Sequence, residues 1–114
     1  MSEAANLPIE TDVATVAAMQ KSGDDFLLLD VREADEYAVA KIDGSQLLPM
    51  SEIGERLAEL DEHRDRLIVV HCHHGGRSMR VTQHLLDNGF KQVQNMAGGI
   101  DHWSLEIDSS VSRY

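Results

Sequence analysis

The sequence has a single cysteine, two prolines and few aromatic side chains: one tryptophan, two tyrosines and two phenylalanines, or 4% of 114 residues. One thiol cannot close an intramolecular disulfide and is consistent with a reducing compartment. With so few rings, aliphatic side chains must fill most of the interior. Basic residues are scarce as well, 10 against 20 acidic ones, for a net charge of −10. Nucleic-acid binding needs a basic face, so that class of partner is excluded. An anionic substrate has to be attracted locally, against the field of the whole protein. The longest apolar runs, such as "LIVV", are far too short to span a membrane. The opening "MSEAANLPIE" lacks the basic start and apolar core of a signal peptide. One cytoplasmic domain, large enough to bury a core, is the expectation.

Strand-like and helix-like patterns alternate along the chain. Pro8-Ile9-Glu10 suits a short strand, and "TDVATVAAMQKSG" a helix with Thr11 as N-cap and Gly23 as stop. "FLLLDV", residues 26–31, is an apolar run without alternation, as in a parallel strand covered on both faces. "READEYAVA" predicts a short helix, "SQLLP" a short strand, and "SEIGERLAEL" a helix capped by Ser51. "RLIVVHC" predicts a second buried strand, "SMRVTQHLLDNG" a helix, "KQVQNM" a last strand and "GGIDHW" a short helix. Residues 104–114 are expected to trail off. This order implies right-handed βαβ crossovers. The fold expected is a single α/β domain with a central five-stranded parallel sheet and helices on both faces. It spans residues 8–107, between an N-terminal extension at 1–7 and a tail at 108–114.

Ligands of such sheets bind at the carboxyl ends of the strands. Two strands end there in reactive residues, "LLLD" at Asp30 and "IVVHC" at Cys72. After Cys72 comes "HHGGRS". Gly75 and Gly76 permit positive φ and a tight curve that turns backbone N–H groups inward. The following helix, expected to start at Ser78, adds free N–H groups and the positive end of its dipole. Arg77 adds a fixed charge, facing a substrate or bracing the loop through a carboxylate. All these donors aim at the Cys72 sulfur, and a thiol so placed is expected to ionise below the free value of about 8.5. A cysteine of this kind attacks soft or phosphorus centres.

Four ordered stretches resemble the rhodanese family of sulfurtransferases. "LLLDVREADEY" resembles the first, with Asp30, Val31, Arg32, Glu33, Glu36 and Tyr37 in place. "AKIDGSQLLP" resembles the second, although Lys41 stands where the family usually has His and Ser45 where it has Ala. "VVHCHHGGRS" matches the active loop, and "NMAGGIDHW" the closing stretch with Gly98, Gly99 and Trp103. The end, "WSLEIDSSVSRY", is similar to the tail of rhodanese domains fused to sulfur-carrier adenylyltransferases, which points to a sulfur-carrier or adenylyltransferase partner. The resemblance implies that Cys72 takes the outer sulfur of a donor such as thiosulfate, polysulfide or a low-molecular-weight persulfide. It then passes that sulfur from a Cys72 persulfide to cyanide, a thiol or a protein. His73, His74, Gly75, Gly76, Arg77 and Ser78 would bind the transferred group through the amides of residues 73–78, with Asp30 and Arg32 in support. No cofactor is implied. With no second cysteine, the persulfide must be resolved by an external acceptor.

Other readings stand beside this one. Related phosphatases and arsenate reductases share the fold, but their loops hold one more residue than the four between Cys72 and Arg77. The module could relay or bind sulfur without turnover, and free cysteines are often inert core residues. His71, His73 and His74 suggest zinc, yet no second ligand pair stands at metal spacing. His71 reads as structural, and His73 and His74 as titratable neighbours of the sulfur. That predicts weak thiosulfate activity that rises toward pH 6. Asp30 and Arg32 read as structural more readily than catalytic, with Arg32 and Glu36 spaced for an ion pair. Trp103 reads as core or cleft wall. For Lys41, a cation leaning toward the site and a solvated surface residue stay open.

Overall fold

The computed structural model describes residues 7–114. It has five strands: β1 (Glu10–Thr11), β2 (Phe26–Asp30), β3 (Gln46–Leu47), β4 (Leu67–His71) and β5 (Gln92–Met96). They form one sheet in the order β1-β5-β4-β2-β3, with every pairing parallel. The helices are α1 (Val13–Ser22), α2 (Ala34–Val39), α3 (Ile53–Arg56), α4 (Gly76–Asp87) and α5 (Gly99–Glu106). The expected five-stranded parallel α/β fold is therefore present.

Apolar residues cover both faces of the sheet because neighbouring strand positions point in opposite directions. Leu27, Leu29, Ile68 and Val70 pack on one side with Ile53, Val81 and Leu85. Leu28 and Val69 pack on the other with Val13, Val16, Ile100 and Trp103. Helices α3 and α4 thus cover one face, and α1 and α5 the other. Trp103 is core, 5% exposed.

Several boundaries differ from the sequence expectation. The cap of α1 is Asp12, not Thr11: its side chain accepts from Thr15 N at 2.8 Å, while Thr11 is taken up by β1. The helix expected from Ser51 is a broken run, with 3₁₀ turns at Met50–Glu52 and Leu57–His63 on either side of α3. Gly54 in its middle lowers the α-helical preference. Helix α4 begins at Gly76 rather than Ser78, and α5 continues to Glu106.

Strands β2 and β4 are neighbours in register, Asp30 opposite His71. Their carboxyl ends therefore lie side by side, and the chain leaves β4 directly into Cys72. This adjacency places the candidate site. No helix among the described residues is long and apolar enough to cross a membrane.

Candidate active site

Cys72 is the first residue past β4 and is 2% exposed. The turn that follows is closed by Gly75 at φ 118°, a backbone state that side-chain-bearing residues avoid. Gly76 needs no such freedom, since it already belongs to α4. The turn brings three donors to the sulfur. Gly75 N–H lies 3.1 Å from Sγ, Ser78 N–H 3.4 Å, and the Ser78 hydroxyl oxygen 3.3 Å. Of the amides at 73–78, those of Gly75 and Ser78 reach the thiol sulfur itself.

Ser78 is fully buried and has several acceptors for one hydroxyl proton. Asn95 Oδ1 is at 2.5 Å, Gly75 O at 3.2 Å and the Cys72 sulfur at 3.3 Å. With a neutral thiol, Ser78 donates to Asn95 and its oxygen can accept from S–H. With an anionic sulfur, the same hydroxyl can turn and donate to it. Asn95 Nδ2 in turn donates to Gly75 O and to Glu10 Oε2, each at 3.2 Å. Strand β5 thereby fixes the loop from below.

The first turn of α5 holds the loop from the other side. Cys72 O accepts from Ile100 N at 2.9 Å, and His73 O from Asp101 N at 3.1 Å. This close approach depends on Gly99, at φ 58°, where an added Cβ would collide with both carbonyl oxygens. Gly99 was legible only as part of a resembling stretch; its purpose here is steric.

The charged residues are arranged differently from the sequence expectation. Arg32 does not pair with the Glu36 carboxylate. It makes a fully buried ion pair with Asp30, Nη2 to Oδ2 at 2.6 Å, and also donates to Ala40 O at 2.6 Å. Asp30 accepts from the Arg32 amide as well, so its carboxylate secures the end of β2 rather than contacting Arg77. Glu36 instead binds Arg77 at 2.6 and 2.9 Å through both oxygens. This bidentate bond, ahead of the opposing effect of burial, holds the Glu36 carboxyl down at about 2. Of the two uses open to Arg77, the brace is therefore the one observed.

The histidines diverge. His71 lies inside the sheet, 0% exposed, with neither ring nitrogen hydrogen-bonded. Burial depresses its basicity to about 4, so it is neutral at physiological pH. His73 stacks between His74 and Tyr114, at centroid distances of 3.9 and 4.0 Å. Burial, followed by repulsion from His74, lowers the His73 value too, so His73 adds less charge beside the sulfur than its sequence position suggests. Among the described residues no three His, Cys, Asp or Glu side chains converge as a metal set. Lys41 lies over the Tyr37 ring at 5.4 Å, a cation–π contact.

Tyr114 went unnoticed in the sequence. Residues 104–114 do not trail away: α5 ends, and the segment beyond it returns to the site. The Tyr114 hydroxyl donates to Glu36 Oε2 at 2.8 Å and accepts from Arg32 Nη1 at 3.0 Å. An aromatic ring at the end of the polar run "DSSVSRY" is the one signal the sequence held.

A parallel α/β sheet with a cysteine at a strand end, cradled by a loop and a helix start, defines a class of cysteine-centred transferases and hydrolases. Within that class the chain is specific. Residues 12–106 match the family model of the rhodanese-like domain, and the chain belongs to that sulfurtransferase family. It is 34% identical over 86 residues to the thiosulfate sulfurtransferase GlpE of Coxiella burnetii, covering 75% of this chain and 78% of that protein. It is 36% identical over 95 residues to the Rhodanese-like/PpiC domain-containing protein 12, chloroplastic, of Arabidopsis thaliana, covering 80% of this chain but 31% of that protein. A maize adenylyltransferase and sulfurtransferase, MOCS3-1, is 32% identical over 97 residues, 81% of this chain and 21% of its own length. Among solved structures, a rhodanese-related protein from Thermoplasma volcanium superposes with a TM-score of 0.77 at 30% identity, covering 88% of this chain and 94% of that one.

Proposed function

We propose that this protein transfers sulfane sulfur through a persulfide on Cys72. The observation that carries the reading is the convergence of Gly75 N–H, Ser78 N–H and the Ser78 hydroxyl on one sulfur, in a loop with four residues between Cys72 and Arg77. That cradle is small. It suits one sulfur atom better than a tetrahedral oxyanion, which argues against phosphatase or arsenate reductase chemistry.

In the first half-reaction the Cys72 thiolate attacks the outer sulfur of the donor. With thiosulfate, the donor S–S bond breaks and sulfite leaves with the electron pair, giving Cys72–S–S⁻. In the second, cyanide or a thiolate attacks the outer sulfur, and Cys72 departs as thiolate. Preorganised amide donors stabilise the anionic sulfur at each stage without reorganising. The Arg77–Glu36 brace and the Asp30–Arg32 pair hold the loop in shape. A small-molecule persulfide or polysulfide can supply the outer sulfur in the same way. The likeness to the maize protein supports a protein acceptor of the sulfur-carrier kind as an alternative to cyanide or a free thiol.

The test is incubation with thiosulfate and cyanide while thiocyanate is followed. The expected result is turnover that Cys72→Ala abolishes. Loading of one sulfur atom without turnover, seen by intact-mass measurement, would favour a relay to a partner protein. No loading from thiosulfate, polysulfide or glutathione persulfide would sink both readings. Cys72-dependent hydrolysis of an aryl phosphate would instead restore the oxyanion reading.

A further inference from the structure

The segment after α5 makes contacts that sulfur chemistry at Cys72 does not require. Residues 107, 108 and 110–112 form one wall of a cleft of about 480 Å³, whose opposite wall includes Ala40, Lys41 and Asp43. Within this part Val111 packs on the core cluster of Val16 and Trp103, which anchors the segment beside the cleft. Beyond it the segment is fastened at two adjacent points. Arg113 Nε bonds Asp101 Oδ1 at 2.9 Å, on the α5 turn that grips the catalytic loop. Tyr114 lays its ring on His73 at 4.0 Å and 10° between planes, and its hydroxyl joins Arg32 to Glu36. His73 is the immediate neighbour of Cys72, and Glu36 is the brace of Arg77. One side chain thus touches the start of the loop at His73 and the carboxylate that braces its end at Arg77.

The electrostatic consequence is specific. Arg77 is occupied by Glu36, and Arg32 by Asp30 and Ala40 O. The Nη1 of Arg32 that faces away from Asp30 donates to the Tyr114 hydroxyl at 3.0 Å and, at a longer 3.4 Å, to Glu36 O. Burial raises the phenol above its ordinary value, so the hydroxyl keeps its proton for Glu36. The ring also covers His73, whose Nε2 is buried without a partner. With Tyr114 docked, both arginines beside the loop are already matched to protein acceptors, and the added surface is a flat aromatic one.

We infer that Tyr114 is a specificity-determining residue of the sulfur-transfer site, which disfavours dianionic donors such as thiosulfate and favours singly charged donors that carry their sulfur on an organic or aromatic group. Removing the ring uncovers His73 and leaves Arg32 Nη1 with only its long bond to Glu36 O, so a dianion gains an N–H donor of a guanidinium whose inner edge stays paired with Asp30. Removing the hydroxyl alone opens that N–H but keeps the stack. The inference rests on the persulfide reading above.

Two donors separate these effects: thiosulfate, a dianion, and benzenethiosulfonate, an aromatic monoanion. Both deliver an outer sulfur and expel an S–O leaving group, sulfite or benzenesulfinate. The rate of one-sulfur loading on the full chain is measured by quenched intact-mass analysis for the unaltered protein, Tyr114→Phe and Tyr114→Ala. One charge-assisted hydrogen bond corresponds to a change of about tenfold or more. Tyr114→Ala is expected to raise the thiosulfate-to-benzenethiosulfonate ratio by about that factor. Tyr114→Phe should speed thiosulfate loading while keeping the rate with the aromatic donor. Ratios equal to the unaltered protein's in both variants would overturn the inference. So would a parallel fall with both donors, the mark of a merely structural residue. If the unaltered protein loads from neither donor but does load from polysulfide or glutathione persulfide, the inference falls alone; loading from none of the four sinks the persulfide reading with it.

Discussion

A single methyl group at Gly99 would meet the carbonyl oxygens of Cys72 and His73, because α5 begins with its backbone pressed against the cysteine loop. Gly99 also holds φ 58°, where a side chain is strained. Gly99→Ala is expected to cost about 1–3 kcal/mol of stability through backbone strain alone, with the collision added to it. It should also depress sulfur loading, since the loop has to shift. Gly54→Ala is the matched control. That site has a helical backbone and nothing within 4 Å of the added carbon, so the change should stabilise by about 0.5–1 kcal/mol. Urea unfolding of the two variants checks the contrast, and equal effects would sink it. At this scale the cradled cysteine and its donors were legible, because Cys72, Gly75 and Ser78 are close in sequence and local geometry does most of the work. Asn95 and Gly99 were not legible as loop supports, because each acts from another element.

Between elements, the loop is braced through α2. Glu36 joins the Arg77 guanidinium, the Glu33 amide and the Tyr114 hydroxyl. Its folded value of about 2 lies below the ordinary 4.5, so its contribution to stability is fully present above about 4.5 and is lost as pH falls toward 2. Glu36→Gln removes that contribution. The gap in urea midpoint between the two proteins should be widest above pH 5 and should shrink as the solution is acidified to pH 3. A gap that stayed constant over this range would contradict the assignment. The same variant should slow sulfur loading, because Arg77 is no longer held. Sequence spacing suggested Arg32 as the partner of Glu36, four residues apart and near a helix start. The sheet decides otherwise: Asp30, at the buried end of β2, takes the whole inner edge of Arg32 and leaves Glu36 free for Arg77.

Among the described residues, His71 has both ring nitrogens buried and without a hydrogen-bond partner. It closes the carboxyl end of β4, the central strand of the sheet, and burial holds it at about 4, against an ordinary 6.5. Between those values the unfolded chain binds a proton that the folded chain refuses, so stability rises with pH through that window and is lost as pH drops. The full difference amounts to about 3 kcal/mol. His71→Gln should flatten the stability profile from pH 6.5 to 4 when urea unfolding is followed across it. Identical slopes in the two proteins would show that His71 does not control this range. Sensitivity to acid here is global, since a charge on this ring would be buried on the central strand of a five-stranded sheet, where β4 pairs with the end of β2.

The architecture and the cradled cysteine can be read along the chain alone. Unbroken apolar runs at 26–29 and 67–70 point to a sheet buried on both faces, and a cysteine followed by a glycine turn and a helix start makes its own local cradle. Only the tertiary structure decided which carboxylate holds which arginine, why Gly99 has no side chain, and that Tyr114 returns to the loop. Those pairings join residues 41 and 78 positions apart, as with Arg77–Glu36 and Tyr114–Glu36. Their partners compete for the same few donors and acceptors, and the outcome depends on where the sheet and α5 set each group in space, a placement that no local pattern encodes.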